Sequence, residues 1–152
     1  MAVTLGELAA LCRSGGLRHH LDAEEGVILI VLVTRDYRNA RDELLAIARV
    51  STPESGTRCR VELERAFATG RDAAATCLAI CEATHDVPCV RLEHDATSRS
   101  LRLVADLAIE DGTLTPRQFF ALIDCVVEAA ERGQRVRTDA APRFPPSDVE
   151  AA

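Results

Sequence analysis

The seven-residue run Val27–Val33 (VILIVLV) constrains the fold more than any other segment of the chain. It is apolar throughout and rich in β-branched residues, which is typical of a strand buried on both faces. Successive side chains of a strand alternate between its two faces, so the run carries two apolar rows. One row is Val27, Leu29, Val31 and Val33, and the other is Ile28, Ile30 and Leu32. Both rows need a cover, and a single layer of helices covers only one.

Capping and stop signals predict three helices around this strand. Thr4 begins a capping box with the glutamate three residues later, and the glycine pair at 15–16 ends this first helix. An Ala-rich helix is predicted over about residues 71–85. A last helix starts at the cap residue Thr115 and is predicted to end at Gly133.

Alternation of apolar and polar residues predicts the remaining strands. Residues 58–64 alternate strictly, and residues 89–93 and 101–109 form a hairpin around a polar loop. Residues 42–51 (DELLAIARVS) are ambiguous, because their propensity favours a helix although the segment is short and ends in a turn. Both assignments, strand and helix, remain for this segment, and we predict a strand.

These elements predict an α+β fold with an antiparallel sheet of about five strands and three helices, in the order α-β-β-β-α-β-β-α. Residues 1–133 form a single domain in this prediction. Residues 134–152 have no apolar periodicity and contain three prolines, so we expect a flexible C-terminal tail.

The segment from Val87 to Val127 (VPCVRLEHDATSRSLRLVADLAIEDGTLTPRQFFALIDCVV) resembles the C-terminal half of YbjN-like proteins. That family, described as putative bacterial sensory transduction regulators, shares the fold of type III secretion chaperones. The resemblance implies a chaperone-like or regulatory protein-binding module, often a homodimer, without enzymatic activity. It also requires a strand at residues 42–51. The chain departs from many relatives at Cys81 and His85, where they carry a Trp or Asn near the end of the middle helix.

The charge of the chain bears on its partners. The formal net charge is −6, the pI is about 5.2, and all eighteen basic residues are arginines with no lysine. Because a nucleic-acid binder needs a basic stripe, we expect no direct binding to nucleic acid. A basic protein client, such as a DNA-binding protein, is favoured instead.

The N-terminal residues carry no basic segment of a secretory signal, and the longest apolar run is too short for a membrane span. We therefore expect a cytoplasmic protein that does not enter a membrane, with its six cysteines as free thiols.

An alternative function rests on Cys77, Cys81, His85 and Cys89, which stand four residues apart. Thiolates and imidazole are good zinc ligands, so a metal- or thiol-dependent sensor or enzyme using Cys77, Cys81 and His85 is the second hypothesis. Structural zinc sites usually pair cysteines in turns, however, and cysteine also packs as a small apolar residue. The leading prediction therefore has no cofactor, metal or catalytic residue.

The leading prediction places protein binding on the uncovered apolar row of the central strand and on the last helix. A two-fold partner is the commonest way to bury such surfaces, so we expect a homodimer. The residues predicted to bind protein are Ile28, Ile30, Leu32, Phe120 and Val127.

Overall fold

A six-stranded antiparallel sheet forms the frame of the fold, and the computed structural model describes residues 2–137 of the chain. The strand order is β1-β2-β3-β4-β6-β5, so β1 and β5 are the edges. The elements in chain order are α1 (Leu5–Ser14), β1 (Arg18–Asp22), β2 (Val27–Val33), β3 (Leu45–Ser51), the helical turn α2 (Pro53–Gly56), β4 (Arg58–Ala68), α3 (Ala73–Thr84), β5 (Val90–Asp95), β6 (Ser100–Ala108) and α4 (Pro116–Arg137).

The helices cover one face of this sheet. Alternate residues of each inner strand point to that face. Antiparallel pairing places Ile28, Val50, Val61 and Ala105 side by side across β2, β3, β4 and β6, in that order. These rows form one apolar core with the inner faces of α1 and α4. Helix α1 lies against β1 and β2, whereas α4 lies against β4, β6 and β5 with α3 beside it. Burial of these rows is the main force that holds helices and sheet together.

The predicted α+β class and antiparallel sheet are confirmed, and the predicted number of strands is one too few. The missing strand is β1, which pairs with β2 at the edge of the sheet. The ambiguous residues 42–51 contain strand β3, beginning at Leu45 and pairing with both β2 and β4. The helix predicted to end at Gly133 continues to Arg137, and residues 138–152 of the predicted tail lie outside the described residues.

A buried carboxylate ties α4 to the loop between β2 and β3. The side chain of Glu131, 5% exposed, accepts hydrogen bonds from the backbone N–H groups of Arg35 and Asp36 at 2.6 Å and of Tyr37 at 3.1 Å. The Tyr37 hydroxyl in turn donates to the carbonyl of Ala66 at 3.0 Å. Charged acceptors make stronger hydrogen bonds than neutral ones, so this loop is held firmly against the domain.

Gly133 lies within α4 rather than at its end, and it allows a close packing contact there. The fully buried ring of Phe67 lies directly against the Gly133 backbone, at a place where any β-carbon would overlap it. The ring also makes an edge contact with Tyr37, with ring centroids 5.9 Å apart. The ring therefore has little room to move, and glycine allows the close approach of α4 to β4.

The first prediction is that Gly133→Ala destabilises the protein by about 1–3 kcal/mol, because the added methyl overpacks the core. In an ordinary helix the same change stabilises by up to about 1 kcal/mol. Gly6→Ala in α1 is the matched control, since a methyl there meets only the Thr4 hydroxyl at 3.8 Å. Urea unfolding measures both variants. A Gly133→Ala protein as stable as Gly6→Ala would contradict the packing described here.

Candidate interaction surface

The face of the sheet opposite the helices carries a contiguous apolar group on its β2 and β3 strands. Register brings Val31 beside Ile47 and Val33 beside Leu45 on this face. Val33 is 87% exposed and Ile47 51% exposed, while the others are half-buried. We name this group the open-face patch, and its members are Leu29, Val31, Val33, Leu45 and Ile47.

Single exposed apolar side chains are common on protein surfaces, whereas adjacent ones on a flat sheet are not. The patch spans paired positions of two neighbouring strands, so its members form one surface rather than scattered spots. Contiguous apolar surface of this kind marks interaction sites in folded proteins. The open-face patch is therefore the candidate site.

Charged side chains of opposite sign border the patch on its two sides. On the β1 side, Arg18 pairs with Val31, and its exposed side chain makes no ion pair or hydrogen bond with residues 2–137. On the β4 side, Glu62 pairs with Arg49, and Glu64 lies on the same face two positions further along. Arg49 contacts Glu64 at 3.4 Å, and the Glu64 side chain is 52% exposed. Level with the patch, the β1 border thus presents the cation Arg18 and the β4 border is predominantly anionic, while Asp22 follows further along β1 beside Val27.

The other half of the open face is a network of arginines around Asp106 on β6. Arg60 donates a hydrogen bond to Asp106 at 2.7 Å, Arg91 donates a second, and Arg58 lies 4.0 Å away. Burial alone would raise the pKa of Asp106, whose side chain is 9% exposed, but the hydrogen bonds from Arg60 and Arg91 hold that pKa below its usual range. These charges satisfy one another, so this half is an internally paired surface.

A shallow cleft lies between this network and the turn that precedes β2. Its volume is about 410 Å³, and Arg49, Arg60 and Arg102 line it together with Glu62 and Glu64. Arginines and carboxylates both line the cleft, so it presents no uniform charge to a ligand.

The structure places three of the predicted binding residues in the core. Ile28 and Ile30 are fully buried and Leu32 is 7% exposed, beneath the helices. As predicted, β2 presents two apolar rows. The helices cover the row of Ile28, Ile30 and Leu32, however, and leave uncovered the side chains of Leu29, Val31 and Val33 on the other face. Phe120 and Val127 are half-buried on α4, where Phe120 lies against Gly15 at the end of α1. None of the five lies in the open-face patch.

The thiols of the alternative hypothesis follow one another along α3 and just beyond it. Cys77 is half-buried, whereas Cys81 and His85 are exposed. Within residues 2–137, no three His, Cys, Asp or Glu side chains are gathered closely enough to hold a metal ion. Burial raises the pKa of Cys77, and burial together with Asp106 raises the pKa of Cys59 to about 12. Raised values oppose formation of the nucleophilic thiolate.

No protein-family model matches the chain, and a comparison with curated proteins finds no significant match. The resemblance to YbjN-like proteins therefore stays a prediction. The helices of residues 2–137 include none with both the length and the apolar character needed to cross a membrane.

The second prediction concerns the pH dependence of stability. Because the pKa of folded Asp106 lies below its unfolded value of about 4, its carboxylate stabilises the fold above that pH. This stabilisation is lost as the pH falls through the folded pKa. Asp106→Asn should therefore cost about 1–2 kcal/mol at pH 7 and make acid unfolding less steep. Glu110→Gln removes the same charge from an exposed turn and is the control. Identical pH profiles for the two variants, measured by urea unfolding, would refute the role of Asp106.

The third prediction concerns the thiols. A thiol reagent added to the native protein should modify the exposed Cys81 and Cys89 rapidly, and Cys12 and Cys59 only upon unfolding, because both are fully buried. Mass spectrometry after limited labelling identifies the modified positions. Early modification of Cys12 or Cys59 would contradict the packing of the core.

Proposed function

We propose that the chain is a non-catalytic protein-binding module, chaperone-like or regulatory, that binds protein through the open-face patch. The observation that carries this proposal is the pair of exposed side chains Val33 and Ile47 on a sheet face that no described helix covers. Burying such a surface against a partner releases water from apolar area, which drives most protein association. The absence of catalysis is part of the proposal.

The finer fold assignment belongs to the same proposal. A helix, a meander of four strands, a middle helix, a hairpin and a long last helix follow one another, and this order supports a type III secretion chaperone-like fold. The hairpin β5–β6 and helix α4 lie within or begin in residues 87–127, where the sequence resembles YbjN-like proteins. The same resemblance supports a homodimer in the cytoplasm.

The charge of the chain supports the choice of client. A formal net charge of −6 attracts a basic partner at long range and increases its rate of association. We therefore propose a basic client, such as a DNA-binding protein, with no direct contact between this chain and nucleic acid. Loss of association at high salt would accompany such a client, because salt screens the attraction.

The fourth prediction tests the binding surface. The double substitution Val33→Arg and Ile47→Arg should abolish recovery of bound protein, whether client or second copy, in a pull-down from the native cells. Leu78→Arg is the matched control, since Leu78 is 61% exposed on α3 at the helical side of the molecule. Circular dichroism verifies that both variants are folded. Equal recovery of partners by the double variant and the wild type would exclude the open-face patch as the binding surface.

A further inference from the structure

We propose that a second copy of this chain covers the open-face patch, in a dimer whose two sheets pack face to face around a two-fold axis parallel to the β2 and β3 strands. This inference rests on the proposed function and specifies the partner of the same surface. It follows from two features of the sheet, namely the polar edges and the opposite charges on the two borders of the patch.

The edges of the sheet oppose association by added strands. Strand β1 has five residues, of which only Leu21 is apolar, and β5 alternates its apolar residues with Arg91, Glu93 and Asp95. Short, charged edge strands prevent pairing with another chain. Contact between two copies is therefore expected through the open face rather than through backbone pairing at an edge.

Face-to-face packing buries the patch against itself. A two-fold axis parallel to the strands, passing between β2 and β3, places β2 of one copy over β3 of the other. Val31 and Val33 then meet the Ile47 and Leu45 side chains across the interface. Packed sheets lie about 10 Å apart with their strands about 30° from parallel, which lets such side chains interdigitate.

The charged borders select this axis. The same rotation carries β1 of one copy over β4 of its partner, because the two strands lie on opposite sides of the axis. Arg18 then faces the border that holds Glu62 and Glu64, and by symmetry this contact occurs twice. An axis perpendicular to the strands would place Arg18 against Arg18 and Glu64 against Glu64. Like charges in contact disfavour that arrangement.

Arg18 and Glu64 are both available for the contact. The Arg18 guanidinium has no partner within residues 2–137, and the half-exposed Glu64 carboxylate keeps acceptor capacity beyond its contact with Arg49. The attraction between them forms only when the two copies meet.

Charge reversal tests the arrangement. We expect light scattering of the wild type at micromolar concentration to give twice the 16.5 kDa mass of one chain. Arg18→Glu and Glu64→Arg should each weaken the dimer about tenfold or more, because each replaces two attractions by two repulsions. The two together should restore dimerisation. The single changes alter the net charge in opposite directions, so a general charge effect would weaken only one of them.

Arg117→Glu is the control for Arg18→Glu, because it makes the same charge change at an exposed position on α4 and should leave the dimer intact. A wild type that is monomeric at these concentrations overturns self-association through the patch. A dimer that the paired reversal fails to restore overturns the proposed axis. Neither result would refute the proposed function, because the pull-down with Val33→Arg and Ile47→Arg tests that function independently. If the double variant loses a bound protein other than a second copy, the proposed function is still supported.

Discussion

Strand β2 is apolar on both faces, and the helices of the domain cover only one of them. The consequence is visible within a few residues of one strand: Ile30 is completely buried, whereas Val33 is 87% exposed. A core of Ile, Leu and Val side chains stabilises the sheet from the helical side. In the other row Val27 is buried and Leu29 and Val31 are half-buried, but Val33 leaves apolar surface in contact with water. An interaction surface is thus a direct result of how the sheet is built.

The surroundings of the patch favour a fixed shape. The loop that follows Val33 is held by the three hydrogen bonds to Glu131, and the Tyr37 hydroxyl fixes the same loop to β4. On the other side, the arginines around Asp106 join β4, β5 and β6 across the open face. A surface held in this way loses little conformational entropy when a partner binds. The interactions that order the fold therefore also prepare the patch for association.

Much of the fold follows from the sequence, because capping residues, turns and alternation act locally. Strand β1 was missed because Arg18–Asp22 contains a single apolar residue, and only its pairing with β2 makes it a strand. The continuation of α4 past Gly133 depends on the contact with Phe67, which no local pattern reveals. The role of Glu131 likewise depends on a loop more than ninety residues earlier in the chain.

The binding face could not be assigned from the sequence for a similar reason. Both rows of β2 are equally apolar, so the alternation identifies two rows without saying which one the helices cover. The neighbouring strand β4 holds the useful signal, because Cys59, Val61 and Leu63 alternate with charged residues and must face the core. That signal reaches β2 only through the β3 register, in which Val61 pairs with Val50 and Val50 with Ile28.

Methyl-resolved NMR with a soluble paramagnetic probe tests the central claim, that a second copy covers the open-face patch, most directly. The account predicts that the methyl groups of Val33 and Ile47 are accessible to the probe in dilute protein and become protected as the concentration rises. The Leu78 methyl groups on α3 should stay accessible throughout. Val33 and Ile47 methyl groups that remain equally accessible at every concentration would contradict the account.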